Sequence, residues 1–302
     1  MGFNTAYDAL RGTKISLGLM TPLGPELGRG EMVPPERSIE LAQLAEQVGF
    51  TGVWVRDVPL AVPQGITALE KQATYLDDPF LMLGAMAAAT STIAIGTAAT
   101  VLPLRHPLHV AKSALTLDRL SHGRFVLGIG SGDRPEEFEI FGKSLDDRRA
   151  DIRSGWATLR AALSPDPAER DALTFPPTTA PTAQIPMIVV GSARQTVQWI
   201  ARNADGWATY YRPADAQVGR LDLWNQARGE TNPLLISSMG LHLTETTTRK
   251  ELALGVSVGS EELIQHLHTM DSMGIDHVIL NIQGRPADEV LHQISEEVMP
   301  YL

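Results

Sequence analysis

The sequence contains no cysteine among its 302 residues, which excludes disulfide bonds, thiol catalysis and cysteine-ligated metal sites. It also lacks a long hydrophobic run, since the most apolar stretch, residues 80–89, is too short to cross a bilayer. The first residues have neither a basic start followed by an apolar core nor a cleavage site. These absences predict a cytoplasmic protein that does not enter membranes.

Positive charge is scarce: 25 lysines and arginines stand against 35 acidic residues, for a net charge of −10. No basic run is present either, and nucleic-acid affinity depends on neutralising phosphates. We therefore expect a protein that does not bind nucleic acid. Hydrophobic residues make up 43% of the chain, which is enough for a sizeable core.

Buried-strand patterns alternate with amphipathic helix patterns along the whole chain. A helix over Glu36–Val48, ended by Gly49, and an Asp78-Pro79 helix start are typical examples. Eight such units favour an α/β fold of the (β/α)8 TIM-barrel type, in one domain over residues 1–302, with an open doubly wound sheet as the alternative. The predicted strands are Lys14–Met20, Val53–Arg56, Ile93–Ala98, Arg124–Ile129, Met187–Val190, Gly206–Thr209, Leu234–Leu241 and His277–Asn281.

Three segments interrupt this rhythm and predict insertion loops: residues 21–35, 57–78 and 164–186. The last of them carries six prolines, which rule out continuous regular structure. We expect the three loops to shape a pocket. The stretch 244–259 shows no clear pattern.

In a TIM barrel the chemistry belongs at the carboxyl ends of the strands. Only Asp57 and His242 at those ends are suitable metal ligands, so a metal site is not expected. The strand ends are rich in small residues instead, which leave volume for a large flat cofactor that brings its own chemistry.

Two glycine-containing turns are candidates for phosphate binding. The run Gly128–Gly132 fails the dinucleotide fingerprint, because Asp133 stands where the third glycine belongs. In the second turn Gly191-Ser192 follows a strand, and a helix is predicted from Ala193. Its first N–H groups, with the hydroxyls of Ser192 and Thr196 and the charge of Arg194, would form an anion pocket. Alternatively, Ser192 only caps the helix.

Three stretches carry a family resemblance: "GTAATVLPLRHPLHVAKSALTLDRLSHGRFVLGIGSG" at 96–132, "FEIFGKSLDDRRADIRSGW" at 138–156 and "GSARQTVQWIA" at 191–201. They resemble bacterial luciferases, and the sequence is similar to the luciferase-like flavin-dependent monooxygenases over residues 14–207 and by pattern beyond. The resemblance implies a TIM barrel with non-covalent flavin at the carboxyl ends of the strands. It also implies a cis peptide between Ala98 and Ala99 beneath the flavin ring, and a homodimer.

Carried over residue by residue, the resemblance implies three groups of flavin contacts. In this sequence they are Thr97, Ala98 and Ala99 at the ring, Gly130 and Ser131 along the chain, and Gly191, Ser192, Arg194 and Thr196 at the phosphate. Luciferases have a phosphate-binding arginine where Ser131 stands, so that contact is either lost or supplied elsewhere, with Arg134 and Arg194 as the candidates. Four aromatic side chains are candidates for the pocket lining: Phe138, Phe141, Trp207 and Tyr210.

The catalytic histidine that luciferases carry after the second strand is absent, since the matching residues are Arg56, Asp57, Val58 and Pro59. Asp57 is the candidate catalytic base. Its alternatives are an ion pair with Arg56 or a hydrogen bond to the flavin. Light emission from an aldehyde is therefore not expected.

The function that the resemblance implies is a two-component monooxygenase, acting on a small organic substrate with O2 and reduced FMN from a separate NAD(P)H-dependent reductase. An F420-dependent enzyme that transfers hydride and a non-catalytic flavin-binding protein are the alternatives. For the homodimer, the helices over 80–90 and 108–120 are the candidate surfaces.

Overall fold

The structure is a computed structural model that describes residues 2–23, 32–61, 76–170, 173, 177–246 and 248–302. Its strands are β1 (Ser16–Thr21), β2 (Gly52–Val55), β3 (Ala94–Thr97), β4 (Thr100–Val101), β5 (Phe125–Gly130), β6 (Met187–Val190), β7 (Gly206–Tyr210), β8 (Leu234–Leu243), β9 (Lys250–Leu252), β10 (Gly255–Val258) and β11 (His277–Ile282). Strands β1, β2, β3, β5, β6, β7, β8 and β11 pair in parallel in that order, and β11 also pairs with β1. The sheet therefore closes on itself, which confirms the predicted (β/α)8 TIM barrel.

Helices follow the barrel strands, and α1 precedes the first of them. They are α1 (Thr5–Arg11), α2 (Pro35–Gln47), α3 (Pro79–Ala89), α4 (Pro107–Leu120), α5 (Pro135–Ile140), α6 (Arg148–Leu163), α7 (Pro167–Arg170), α8 (Val197–Asn203), α9 (Ala214–Arg228), α10 (Ser260–Ser272) and α11 (Ala287–Glu297), with 3-10 turns at Leu102–Leu104 and Met299–Tyr301. Within the described residues, no helix combines the length and the apolar character needed to cross a membrane.

The apolar side chains form two layers. A large layer lies between the barrel and the helices, and a smaller one fills the barrel interior, where Trp54, Val126 and Ile279 are buried. Helix α1, which was not predicted, buries Ala6 and Leu10 against the interior layer. The N-terminal segment therefore completes the core inside the barrel.

A buried polar contact crosses the barrel interior. Trp54 Nε1 donates to Nε2 of His277 at 3.0 Å, and Ser16 Oγ lies 2.7 Å from His277 Nδ1. Glycine is needed beside these rings, because a Cβ at Gly18 would lie 2.4 Å from His277 Nε2 and one at Gly96 2.4 Å from Trp54 Cζ3. Burial lowers the pKa of His277 to about 3, so the imidazole is neutral.

Two structured segments differ from the sequence predictions. Strands β9 and β10 form an antiparallel hairpin within the stretch 244–259, where no element was predicted. The hairpin packs closely on the barrel, since a Cβ at Gly255 would lie 1.9 Å from the carbonyl oxygen of Gly240. Helix α8 begins at Val197 and not at Ala193, because Gly191, Ala193 and Arg194 have φ values of 67°, 43° and 59°.

The expectation that segment 164–186 shapes the pocket is wrong for its described residues. The segment joins the carboxyl end of α6 to the start of β6, and so lies at the amino-terminal end of the barrel. There the Gln184 carbonyl accepts a hydrogen bond from the backbone N–H of Asn4 at 3.0 Å. Of the other two loops, 24–31 and 62–75 lie outside the described residues.

Candidate active site

A cavity of about 460 Å³ opens at the carboxyl ends of the barrel strands. Parallel strands direct their carboxyl ends to one face, which is where TIM-barrel enzymes bind their ligands. The polar lining residues are Arg56, Arg134, Thr209, Tyr210, Ser238, Asn281 and Gln283, and the apolar ones include Met20, Ala98, Val190, Ala208, Leu252, Leu254 and Ile279. The hairpin β9–β10 contributes the residues of its turn, so this unpredicted element forms part of the cavity wall.

The carboxyl end of β3 holds the predicted ring contacts. The Ala98–Ala99 peptide is cis, as the resemblance implied, and Ala98 lines the cavity. The Ala98 N–H donates to the carbonyl of Val55 at 2.7 Å, which ties this segment to β2. The Thr97 hydroxyl is buried, donates to the Gly128 carbonyl at 2.8 Å and accepts from the Gly128 N–H at 2.9 Å. Both contacts join β3 to β5, so the Thr97 hydroxyl is engaged within the barrel wall.

Gly130 and Ser131 lie at the end of β5, beside the cis peptide. A Cβ at Gly130 would lie 3.1 Å from the Ala99 Cβ, so glycine permits the close approach of these two strand ends. The Ser131 hydroxyl donates to the Gly132 carbonyl at 3.4 Å. Neither residue belongs to the cavity lining, and their contact with a flavin chain stays a prediction.

The turn over residues 191–196, for which phosphate binding was predicted, is held by hydrogen bonds within the protein. The Gly191 carbonyl accepts from Trp207 Nε1 at 2.6 Å, and the Ser192 hydroxyl accepts from the Arg194 N–H at 3.3 Å. Thr196 is the N-cap of α8 and accepts from the Trp199 N–H at 3.2 Å. The predicted alternative, in which Ser192 caps the helix, is therefore wrong, because the cap is Thr196.

A second arginine lies near this turn. Burial is the main cause that lowers the pKa of Arg148, and the charge of Arg194 is the second. The Arg148 guanidinium also donates from Nη1 to the Gly132 carbonyl at 2.9 Å. Arg148, at the start of α6, and Arg194, in the turn after β6, are therefore neighbouring cations near the turn where the resemblance implied the phosphate.

Asp57 is buried, and both of its oxygens have partners. Oδ2 accepts from the Val101 N–H at 3.0 Å and from Arg105 Nε at 2.8 Å, and Oδ1 accepts from Arg105 Nη2 at 2.8 Å. The expected alternative, a pair with Arg56, is wrong, because the partner is Arg105 from 48 residues further along the chain. Asp57 joins the end of β2 to the segment after the cis peptide, and its catalytic role stays a prediction.

The remaining candidates divide between the cavity and the core. Tyr210 lines the cavity, whereas Phe138 and Trp207 are buried in the protein and Phe141 is exposed on the surface. His242 lies beside Gly284, and its Nδ1 is 3.3 Å from Ser257 Oγ. No cluster of three potential metal ligands occurs among the described residues.

Sequence reasoning missed Arg56 as a cavity residue, since it was considered only as a partner for Asp57. Asn281 was predicted as the last residue of a strand, two residues before Gln283, but no role was given to either. Their signal was available: Arg56 follows β2, Asn281 and Gln283 lie at the end of β11, and the carboxyl ends of barrel strands face the cavity. The turn of the β9–β10 hairpin gave no such signal.

Comparison with known proteins agrees with this geometry. The family model described as "Luciferase-like monooxygenase" matches residues 14–295. The chain belongs to the luciferase-like monooxygenase family. An uncharacterised protein of Mycobacterium tuberculosis (strain H37Rv) is 36% identical over 216 residues, which cover 65% of this chain and 76% of that protein. The alkanal monooxygenase alpha chain of Photorhabdus laumondii is 26% identical over 194 residues, covering 61% of this chain and 50% of that one.

Two solved structures of similar fold differ in cofactor. An F420-dependent secondary alcohol dehydrogenase matches with a TM-score of 0.75 at 16% identity, covering 96% of this chain and 99% of that chain. The oxygenating constituent of 3,6-diketocamphane monooxygenase from Pseudomonas putida, in complex with FMN, matches with a TM-score of 0.70 at 16% identity, covering 95% and 98%. At these identities the likeness shows the shared fold, and it leaves both cofactor classes open.

Proposed function

We propose that this luciferase-like enzyme is a two-component monooxygenase that uses reduced FMN and O2 on a small organic substrate. The observation that carries the proposal is the cavity at the strand ends, within a family of flavin-type oxidoreductases. Its described lining holds neither a cluster of metal ligands nor an acidic side chain. The reactive chemistry is therefore expected from a bound cofactor.

The cavity residues fit a flavin. Ala98, Val190 and Ala208 are small and leave room for a flat ring system. The Thr209 hydroxyl lines the cavity and is buried without a hydrogen-bond partner among the described residues, so the polar edge of a ring would satisfy it. Arg194 and Arg148 would hold the phosphate, together with the Gly191–Thr196 turn.

When bound, the reduced flavin would supply electrons and activate oxygen. The chain itself binds the substrate and limits the access of water. Met20, Leu254 and Ile279 give the cavity an apolar wall, which excludes water from the reacting atoms. The Tyr210 hydroxyl is protonated at neutral pH, as in an ordinary tyrosine, and would donate a hydrogen bond to the substrate.

FMN is favoured over F420 by the sequence relatives. The family model is that of monooxygenases, and the matched Photorhabdus relative is named for alkanal oxygenation. The likeness to an F420-dependent alcohol dehydrogenase supports hydride transfer with F420 as the second candidate. A separate NAD(P)H-dependent flavin reductase completes the proposal, because the FMN must arrive reduced.

The decisive experiment is an anaerobic titration of the protein with reduced FMN, oxidised FMN and F420, followed by absorbance and fluorescence. We expect the tightest binding with reduced FMN, followed by oxygen consumption when O2 and a substrate are added. Binding of F420 alone would transfer the protein to the hydride-transfer class. Binding of neither would contradict a flavin-dependent function.

A matched variant tests the phosphate turn within the same titration. Because riboflavin lacks the phosphate, Arg194→Gln should weaken FMN binding by about tenfold, equivalent to ~1.4 kcal/mol, and leave riboflavin binding unchanged. Arg202→Gln, an exposed arginine of α8, is the control and should change neither. Equal losses for FMN and riboflavin would place the phosphate elsewhere.

A further inference from the structure

Two arginines at the cavity wall are not explained by the flavin contacts. Arg56 follows β2, and Arg134 is the N-cap residue of α5; both line the cavity. They lie close enough that the charge of Arg134 lowers the pKa of Arg56. Like charges at one wall repel each other, so this arrangement costs free energy unless an anion lies between them.

Arg56 has no ion pair among the described residues. The neighbouring carboxylate, that of Asp57, is paired with Arg105. Arg56 Nη2 donates to the Pro22 carbonyl, while its Nε is buried without a partner in the described part of the chain. Burial, and to a smaller extent the charge of Arg134, lower the pKa of Arg56 to about 10. The guanidinium therefore still carries its charge at neutral pH.

The positive charge of Arg134 is only partly compensated by a neighbouring carboxylate. Its Nη1 lies 3.7 Å from Glu137 Oε1, too far for a hydrogen bond, and both atoms are buried without hydrogen-bond partners among the described residues. Burial is also the main cause that raises the pKa of the Glu137 carboxyl. Glu137 does not border the cavity, so the charged side chains in the described lining are the two arginines.

We propose that Arg56 and Arg134 bind a carboxylate of the substrate, with the Tyr210 hydroxyl as a further donor. The planar guanidinium fork matches a planar carboxylate. The apolar residues Met20, Leu254 and Ile279 line the same cavity and would hold a hydrophobic body. The substrate class is therefore a carboxylic acid with an apolar body.

This inference rests on the proposed function, in which the flavin phosphate lies at the other arginine pair, Arg148 and Arg194. The two pairs occupy different strand ends: β2 and the segment after β5 for one, and the α6 start and the turn after β6 for the other. FMN has a single phosphate group, so one pair is left for a second anion. The alternative to a substrate carboxylate at Arg56 and Arg134 is the phosphate of the flavin itself.

The test is calorimetric titration of the protein with benzoate, and with benzamide as its neutral counterpart, both without FMN and saturated with FMN. We expect benzoate to bind at least tenfold more tightly than benzamide. Arg56→Gln should remove this preference, and Arg134→Gln should reduce it, so that either variant suffices if the other does not fold. Arg202→Gln should keep the wild-type preference.

Two results would overturn the inference. One is the absence of a benzoate preference in the folded wild-type protein. The other is an Arg56→Gln variant that keeps the benzoate preference, or that loses FMN affinity by the same factor as benzoate affinity, which would assign the anion to the flavin. A benzoate preference in a protein that binds no FMN would uphold the carboxylate site and reject the proposed cofactor.

Discussion

At the scale of single residues, the buried histidine in the barrel makes stability depend on pH. The pKa of His277 is lowered by burial to about 3 from an ordinary 6.5, so the unfolded chain binds a proton there at a higher pH than the folded protein does. The free energy of unfolding should therefore fall as the pH decreases from 6.5 towards 3, by up to about 1.4 kcal/mol per pH unit. His266, whose pKa burial lowers to about 4, acts in the same direction.

Urea unfolding at pH 7 and pH 5 measures this contribution. We expect the loss of stability between the two pH values to be about 2 kcal/mol smaller in His277→Gln than in the wild type, from 1.5 pH units at about 1.4 kcal/mol each. The exposed His268 is the matched control, and His268→Gln should keep the wild-type pH dependence. An unchanged pH dependence in His277→Gln would show that His277 titrates normally in the folded protein.

A second prediction for single residues concerns the ion pair between Asp57 and Arg105. Among the described residues, Asp57→Asn leaves Arg105 with only the Asp78 carboxylate, 3.1 Å from its Nη2, so the variant should lose about 3 kcal/mol of stability, the low end for a broken buried pair. Asp78→Asn, which can still cap α3, should cost clearly less. Thermal unfolding measures both. A fully stable Asp57→Asn that binds FMN normally would favour the catalytic role over the positioning one.

The sequence alone could not distinguish these two roles for Asp57. Its partner, Arg105, lies after a cis peptide and a 3-10 turn, and only the folded backbone brings the two side chains together. Arg56 was likewise visible in sequence, but its lack of a carboxylate partner follows from the Asp57–Arg105 pair. The site residues could thus be found from strand ends, while their pairing could not.

At the scale of elements, the strands were predictable because each barrel strand is an almost continuous run of buried residues. The β9–β10 hairpin was not, since the side chains of β9 are mostly exposed and its pattern resembles a loop. The turn after β6 was predicted as helix because its non-glycine residues gave no sign of positive φ. Local composition thus found the core elements and missed those held by tertiary contacts.

The hairpin is held to the barrel by a polar contact that can be removed. Arg249 Nη2 donates to the Tyr211 hydroxyl at 2.8 Å, and that hydroxyl donates to Glu251 Oε2 at 3.1 Å. Burial is the main cause that raises the pKa of Tyr211 to about 12, so the hydroxyl stays protonated. Tyr211→Phe should raise amide hydrogen exchange in residues 250–258 by about fivefold to tenfold, for hydrogen bonds worth ~1 kcal/mol.

Tyr301→Phe is the control for this measurement, because Tyr301 is exposed at the end of the chain. It should leave exchange in the hairpin unchanged. Because the hairpin turn lines the cavity, Tyr211→Phe should also weaken the binding of any cavity ligand. Unaltered exchange in Tyr211→Phe would mean that backbone pairing with β8 alone holds the hairpin.

At the scale of the whole molecule, we propose a homodimer formed through helices α3 and α4. Leu81 is 77% exposed and Leu120 is 56% exposed, and both border a groove of about 400 Å³ between these helices. Exposed leucines that share one groove are typical of a surface covered by another chain. A second copy would remove them from water, with the same surface on both chains.

Light scattering coupled to gel filtration at micromolar concentration tests this arrangement. The wild-type protein should have the mass of a dimer, and Leu81→Glu should have that of a monomer, because a buried unpaired carboxylate at the interface costs several kcal/mol. Leu223→Glu changes a leucine that is 50% exposed on α9, away from this groove, and should remain a dimer. A monomeric wild type would reject the homodimer, and dissociation by Leu223→Glu instead of Leu81→Glu would move the interface to α9.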